Sequence, residues 1–124
     1  MKPTVLLFNI PPRKQGTIRV LAMRLRLRVL VAAPEHFAAP LEKVLQGEAD
    51  AMPAASFSEE MLVMAGLPDA VLELFLKGLR QQKATVALKA VLTDTNRCWS
   101  AVELHQELRR ERDAITAGET AHQM

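Results

Sequence analysis

Tyrosine is absent from this chain, tryptophan occurs once, and aromatic residues make up only 4% of its 124 positions. No strand can therefore carry the interleaved aromatic and basic residues of a platform for stacking nucleic-acid bases. The one cysteine, Cys98, allows no internal disulfide and suits a reducing compartment. Long apolar runs are missing as well: the longest candidate, Val29 to Pro34, falls far short of the roughly 20 residues that span a bilayer. The opening apolar segment is too short for a secretory signal and lacks a small-residue cleavage site, so a cytoplasmic protein without membrane contact is expected. The five glycines form neither a phosphate-binding loop nor a dinucleotide fingerprint. His36, His105 and His122 lack the spacing of a zinc site, and no metal or cofactor is expected. Acidic residues, finally, are missing from positions 1 to 34, which hold seven basic ones; the remainder holds nine basic and fourteen acidic residues.

What is present is the balance of a folded domain, with 49% apolar and 24% charged residues. A chain of this size buries about two-thirds of the surface it exposes when unfolded, enough for one core without a disulfide or metal staple. Thr4 to Ile10 reads as a buried strand closed by Pro11-Pro12. Ile18, Leu21, Ala22 and Leu25 then fall on one helical face, and the period changes to alternation near Arg26, where a second strand runs to Ala33. Glu35 to Gln46 reads as a short helix with Phe37, Leu41, Val44 and Leu45 inward, closed by Gly47. Residues 48–60 mix small, acidic and proline residues and are expected to form a mobile connection.

Met61 to Ala65 makes a third strand, and Pro68-Asp69 opens a helix whose buried stripe is Leu72, Phe75, Leu76 and Leu79. Val86 to Leu92 is a fourth strand. Ser100 and Glu103 fit a capping box, with Trp99 placed to staple against Leu104 and a stripe of Ala101, Leu104, Leu108 and Ile115 behind them. We expect a single α/β domain over residues 1–117 and a frayed tail at 118–124. Its two βαβα halves would form a four-stranded, mostly parallel sheet covered by helices. The alternative is a ferredoxin-like split βαβ arrangement with the middle helix inserted. The halves resemble each other, Phe37 with Leu41 and Leu45 echoing Trp99 with Leu104 and Leu108, but one residue out of step.

In an α/β sheet, ligands bind beyond the carboxyl ends of the strands, which is where Thr93, Asp94, Thr95 and Asn96 stand. Thr93, Thr95 and Asn96, with Lys89 of the preceding strand, form a candidate site for a phosphate-bearing or small polar metabolite. The same residues equally suit a plain turn and helix cap. Lys89 either lends an ammonium group to a pocket or marks an edge strand, where lysine discourages pairing. Cys98 beside Arg97 near a helix N-terminus has the setting of a reactive thiol, although burial as an inert residue is the simpler expectation. His105 stands about 10 Å further along the helix, too far to act as its base. Arg13, Lys14, Arg19, Arg24, Arg26 and Arg28 form a candidate basic patch, able to meet a partner protein, the phosphates of a nucleic acid in a sequence-independent way, or the molecule's own acidic part.

The runs MLVMAGL, LELFLKGLR, LKAVLT and ELHQELRRE, with Lys89, Ala90, Thr93, Asn96, Trp99 and Glu107, resemble a small bacterial family catalogued as a domain of unknown function. The resemblance covers most of residues 4–112 and is densest from Met61 to Glu111. At Met23 to Arg28 the chain departs from it, since a glycine would be expected there. The resemblance implies no activity. With no catalytic constellation in view, a non-enzymatic protein-binding or regulatory module is the first expectation. A ligand-sensing domain is the second, and a redox or enzymatic role for Cys98 the third.

Overall fold

The computed structural model describes residues 2–52 and 56–122. Along the chain lie β1 (Thr4–Phe8), α1 (Pro12–Arg24), β2 (Arg28–Val31), a 3-10 turn (Pro34–His36) and α2 (Leu41–Gln46). They are followed by β3 (Met61–Ala65), α3 (Asp69–Gln81), β4 (Leu88–Val91), a second 3-10 turn (Asn96–Cys98) and α4 (Ala101–His122). The four strands form one sheet in the order β2-β1-β3-β4. β1 pairs with β2 and β3 with β4 in parallel, while the central β1 and β3 run antiparallel. This is the α/β fold with a mostly parallel sheet. Because β1 and β2 are direct neighbours, no strand splits the first βαβ unit, and the ferredoxin-like alternative is not adopted.

Both central strands are buried along their whole length, which explains why TVLLF and MLVMA are continuously apolar instead of alternating. Val5, Leu7, Leu62 and Met64 face α1 and α3. Leu6, Phe8, Met61, Val63 and Ala65 face α2 and α4 on the other side. Two right-handed crossovers that run in opposite directions place their helices on the same face, as α1 and α3 are here.

The backbone repeats more closely than the letters do. The left-handed residues Asn9 and Gly66, and likewise Arg26 and Lys83, stand 57 positions apart. So do the helix-opening Pro11 and Pro68 and the closing Leu25 and Gln82, with nearly equal dihedral angles. Leu6 is 57 positions from Val63, its own partner across the central pair, so a pseudo-two-fold axis passes between them. The helix-opening Pro40 and Ser100 also meet each other in an antiparallel bridge. The axis brings Leu21 of α1 against Gly78 of α3: a Cβ at Gly78 would stand 2.6 Å from Leu21 Cδ1.

Several boundaries differ from expectation. The segment Glu35 to Gln46 is a 3-10 turn and a separate six-residue helix, because Pro40 lacks an N–H and its ring ends any helix approaching from the N-terminal side. β1 ends at Phe8, where Asn9 turns left-handed, and β4 spans only Leu88 to Val91, although Val86 before it is still buried. β2 starts at Arg28, since Leu25 and Arg26 are spent on closing α1. α4 continues to His122, past Ala117, and Ile115 is 63% exposed instead of joining the buried stripe. Of the connection at 48–60, residues 53–55 lie outside the described residues, as do residues 123 and 124 of the tail.

Candidate functional site

α1 and β2 carry the basic third of the chain. Its apolar side, with Ile18 and Ala22 fully buried, packs on the sheet and leaves Arg13, Arg19 and Arg24 exposed. Arg26 and Arg28 are exposed at the turn and the edge strand. Lys14 meets the carboxylate of Glu60 and donates to the carbonyl of Thr85. Among the described residues, Lys2, Arg13, Arg19, Arg24, Arg26 and Arg28 have no acidic partner. Among the described residues, an acid of the molecule itself thus neutralises one of the seven cations, Lys14. Lys2, Arg19 and Arg26 line one groove of about 410 Å³ with Met23, Leu27 and Val29, and Met23 there is 70% exposed. Of the predicted patch, Arg19 and Arg26 thus share a groove, Lys14 is diverted to Glu60, and Arg24 borders a second hollow with Thr17, Val20, Leu21 and Gln82.

The turn after β4 is built from its own side chains. Asn96, nearly fully buried, accepts the Thr93 N–H at Oδ1 (2.8 Å) and donates from Nδ2 to the Val91 carbonyl (3.0 Å). Its backbone N–H donates to the Thr93 hydroxyl (3.1 Å). Thr95 and Asp94 are exposed beside them. Lys89 lies elsewhere, on the edge strand β4, with Nζ donating to the Val86 carbonyl (2.9 Å). Its groove is lined by Ala87 and Leu88 and by Leu108, Glu111, Arg112, Ile115 and Thr116 of α4, and by no residue of the turn. The four residues named from sequence thus do not converge. Both ends of the Asn96 amide are already engaged.

Cys98 is exposed, against the expectation of burial, because the 3-10 turn points its thiol outward to the Thr95 carbonyl (3.4 Å). Among the described residues, no group of three or more His, Cys, Asp or Glu side chains is placed to hold a metal ion. No helix among them is long and apolar enough to cross a membrane.

One cluster escaped the sequence. Phe57, from the polar connection, inserts between Phe37 (ring centroids 4.9 Å apart) and His105 (4.2 Å, with the ring planes nearly parallel). Two residues on, Glu59 accepts from Arg112 Nη1 (2.9 Å) and from His105 Nε2 (3.1 Å), with Arg109 Nε at 3.8 Å. The hydrogen bond from Arg112, and then that from His105, hold the Glu59 carboxyl below the usual carboxylate range. This segment straps the sheet to α4. The only hint in the sequence was a lone aromatic among small and acidic residues.

A family model described as a domain of unknown function, DUF3783, matches residues 60–115. The match takes in β3, α3, β4 and most of α4, the region in which the resemblance is densest. Searches of curated proteins and of solved structures give no significant match.

Proposed function

We propose that this domain is a non-enzymatic protein-binding module that engages an acidic surface of its partner through the α1–β2 half. The observation that carries this reading is the set of six cations of the first third, Lys2, Arg13, Arg19, Arg24, Arg26 and Arg28, left without an acidic partner among the described residues of a domain whose net charge is only +2, three of them lining one groove. Unpaired charge of one sign gathered on one region steers an oppositely charged partner and selects against like-charged ones. The turn at Thr93–Asn96 is occupied by its own hydrogen bonds, which weighs against the metabolite-sensing alternative.

The test is affinity capture with the intact domain, its Arg19→Glu/Arg24→Glu/Arg26→Glu variant, and a Lys77→Glu/Arg80→Glu control on exposed positions of α3. A partner retained by wild type and control, released at about 0.5 M salt where screening is nearly complete, and lost by the triple variant supports the reading. Equal retention by the triple variant overturns it.

A further inference from the structure

We propose that the free edge of β2 receives an acidic, extended segment of the partner protein, which joins the sheet as a fifth strand. This rests on the protein-binding reading above and specifies what is bound. Among the described residues β2 pairs only with β1. The Arg28 and Ala32 N–H groups donate to Pro3 and Leu7 on the β1 side (2.9 Å each). The alternation of a strand therefore turns the N–H and C=O groups of Val29 and Val31 toward the open edge. These are the groups an added strand pairs with.

The other edge of the sheet differs in one respect. α4, with 22 residues, runs beside β4, and Leu108, Glu111, Arg112 and Ile115 share the groove of Lys89. α2 lies on the same face as α4 but has six residues, whereas the groove beside β2 opens on the α1 face, where Leu27 and Val29 pack. Val31 is 44% exposed and Met23 70% exposed, but Val91 on β4 is also 44% exposed, so the two edges differ in their charge rather than in the exposure of these valines.

Charge decides the occupant. Lys2, Arg19 and Arg26 line the groove, Arg28 stands on the strand itself, and no acid accompanies them. A second copy of β2 at this edge would bring two sets of arginines together, which guards against self-association. A nucleic-acid backbone would neutralise the cations but has no alternating N–H and C=O groups for Val29 and Val31. An extended peptide with carboxylates on alternate residues and aliphatic side chains between them satisfies the cations, the ladder and the apolar strip of Met23, Leu27 and Val29 together.

The probe is a capped hexapeptide alternating glutamate and valine, measured against its lysine-for-glutamate counterpart and a short oligothymidylate. Binding is read by fluorescence anisotropy, and backbone amide exchange is followed in the intact domain. The glutamate peptide is expected to bind and the lysine peptide not, with exchange at the Val29 and Val31 amides slowed at least tenfold in the complex. Val31→Pro removes an outward N–H that β1 does not use, and should weaken binding roughly three- to tenfold with the melting transition retained. Arg19→Glu, which leaves the strand untouched, should weaken it as well. Binding with unchanged exchange at Val29 and Val31 overturns strand addition and leaves the protein-binding reading standing. Absence of glutamate-peptide binding up to about 1 mM overturns the proposal. Oligothymidylate binding through the same arginines in its place overturns both readings.

Discussion

Ser100 and Glu103 exchange hydrogen bonds with each other's backbone N–H, both at 3.1 Å, and start α4 as their spacing indicates. Ser100→Ala should cost about 1 kcal/mol in urea unfolding. Asn96 is the more demanding residue, because its buried amide ties the turn to β4; Asn96→Ala should cost about 2 kcal/mol by the same measurement. Glu59 has its pKa lowered in the folded state from an ordinary 4.5. Its contribution to stability is thus complete above that ordinary value and is lost as the pH falls through the depressed one. In Glu59→Gln the difference in melting temperature between neutral pH and about pH 3 should be smaller than in wild type; an unchanged difference would mean that the strap does not couple to folding. The capping box was legible because it is complete within four residues. The strap was not, because Glu59 and its partners His105 and Arg112 lie 46 and 53 positions apart.

At the scale of elements, apolar spacing identified every strand and long helix among the described residues, and fixed β3 at Met61–Ala65 and the start of α3 at Asp69, but misjudged the ends of several others. Phe37, Leu41, Val44 and Leu45 are all buried, as one helical stripe would require, yet Pro40 divides the segment carrying them. Leu25 to Val29 alternates like a strand, but Leu25 and Arg26 are used to close α1, the latter in a left-handed conformation that a glycine would adopt without strain. Arg26→Gly should therefore leave the melting temperature unchanged or raise it slightly. Close packing also appears where no pattern marks it, at Gly78 against Leu21. Gly78→Val should cost about 2 kcal/mol, and Leu21→Ala in the same chain should recover part of that loss in a double-mutant cycle.

At the scale of the whole molecule, the α/β class and the pairing of neighbouring strands were legible, because continuous apolar runs alternating with striped helices admit few other arrangements. The two-fold relation was not legible as a fixed period. The spacing is 57 through α1 and α3 but 60 between the strands that follow, Arg28 and Leu88, so the letters slip out of step while the backbones agree. Since each half contributes one of the two buried central strands, neither half can keep its core covered alone. Urea unfolding should be a single transition, with the far-ultraviolet signal and the fluorescence of Trp99, at the contact between halves, changing together. Separate transitions would show that the halves are independent. The same central pairing bears on the chain as it is made. β1 leaves the ribosome 57 residues before the strand that covers its inner edge, a delay on the order of 3–11 s at ordinary rates of translation. For that interval the first half presents Val5, Leu6, Leu7 and Phe8 along a strand whose inner edge is unpaired, so crowding by nascent chains endangers this protein most before β3 emerges.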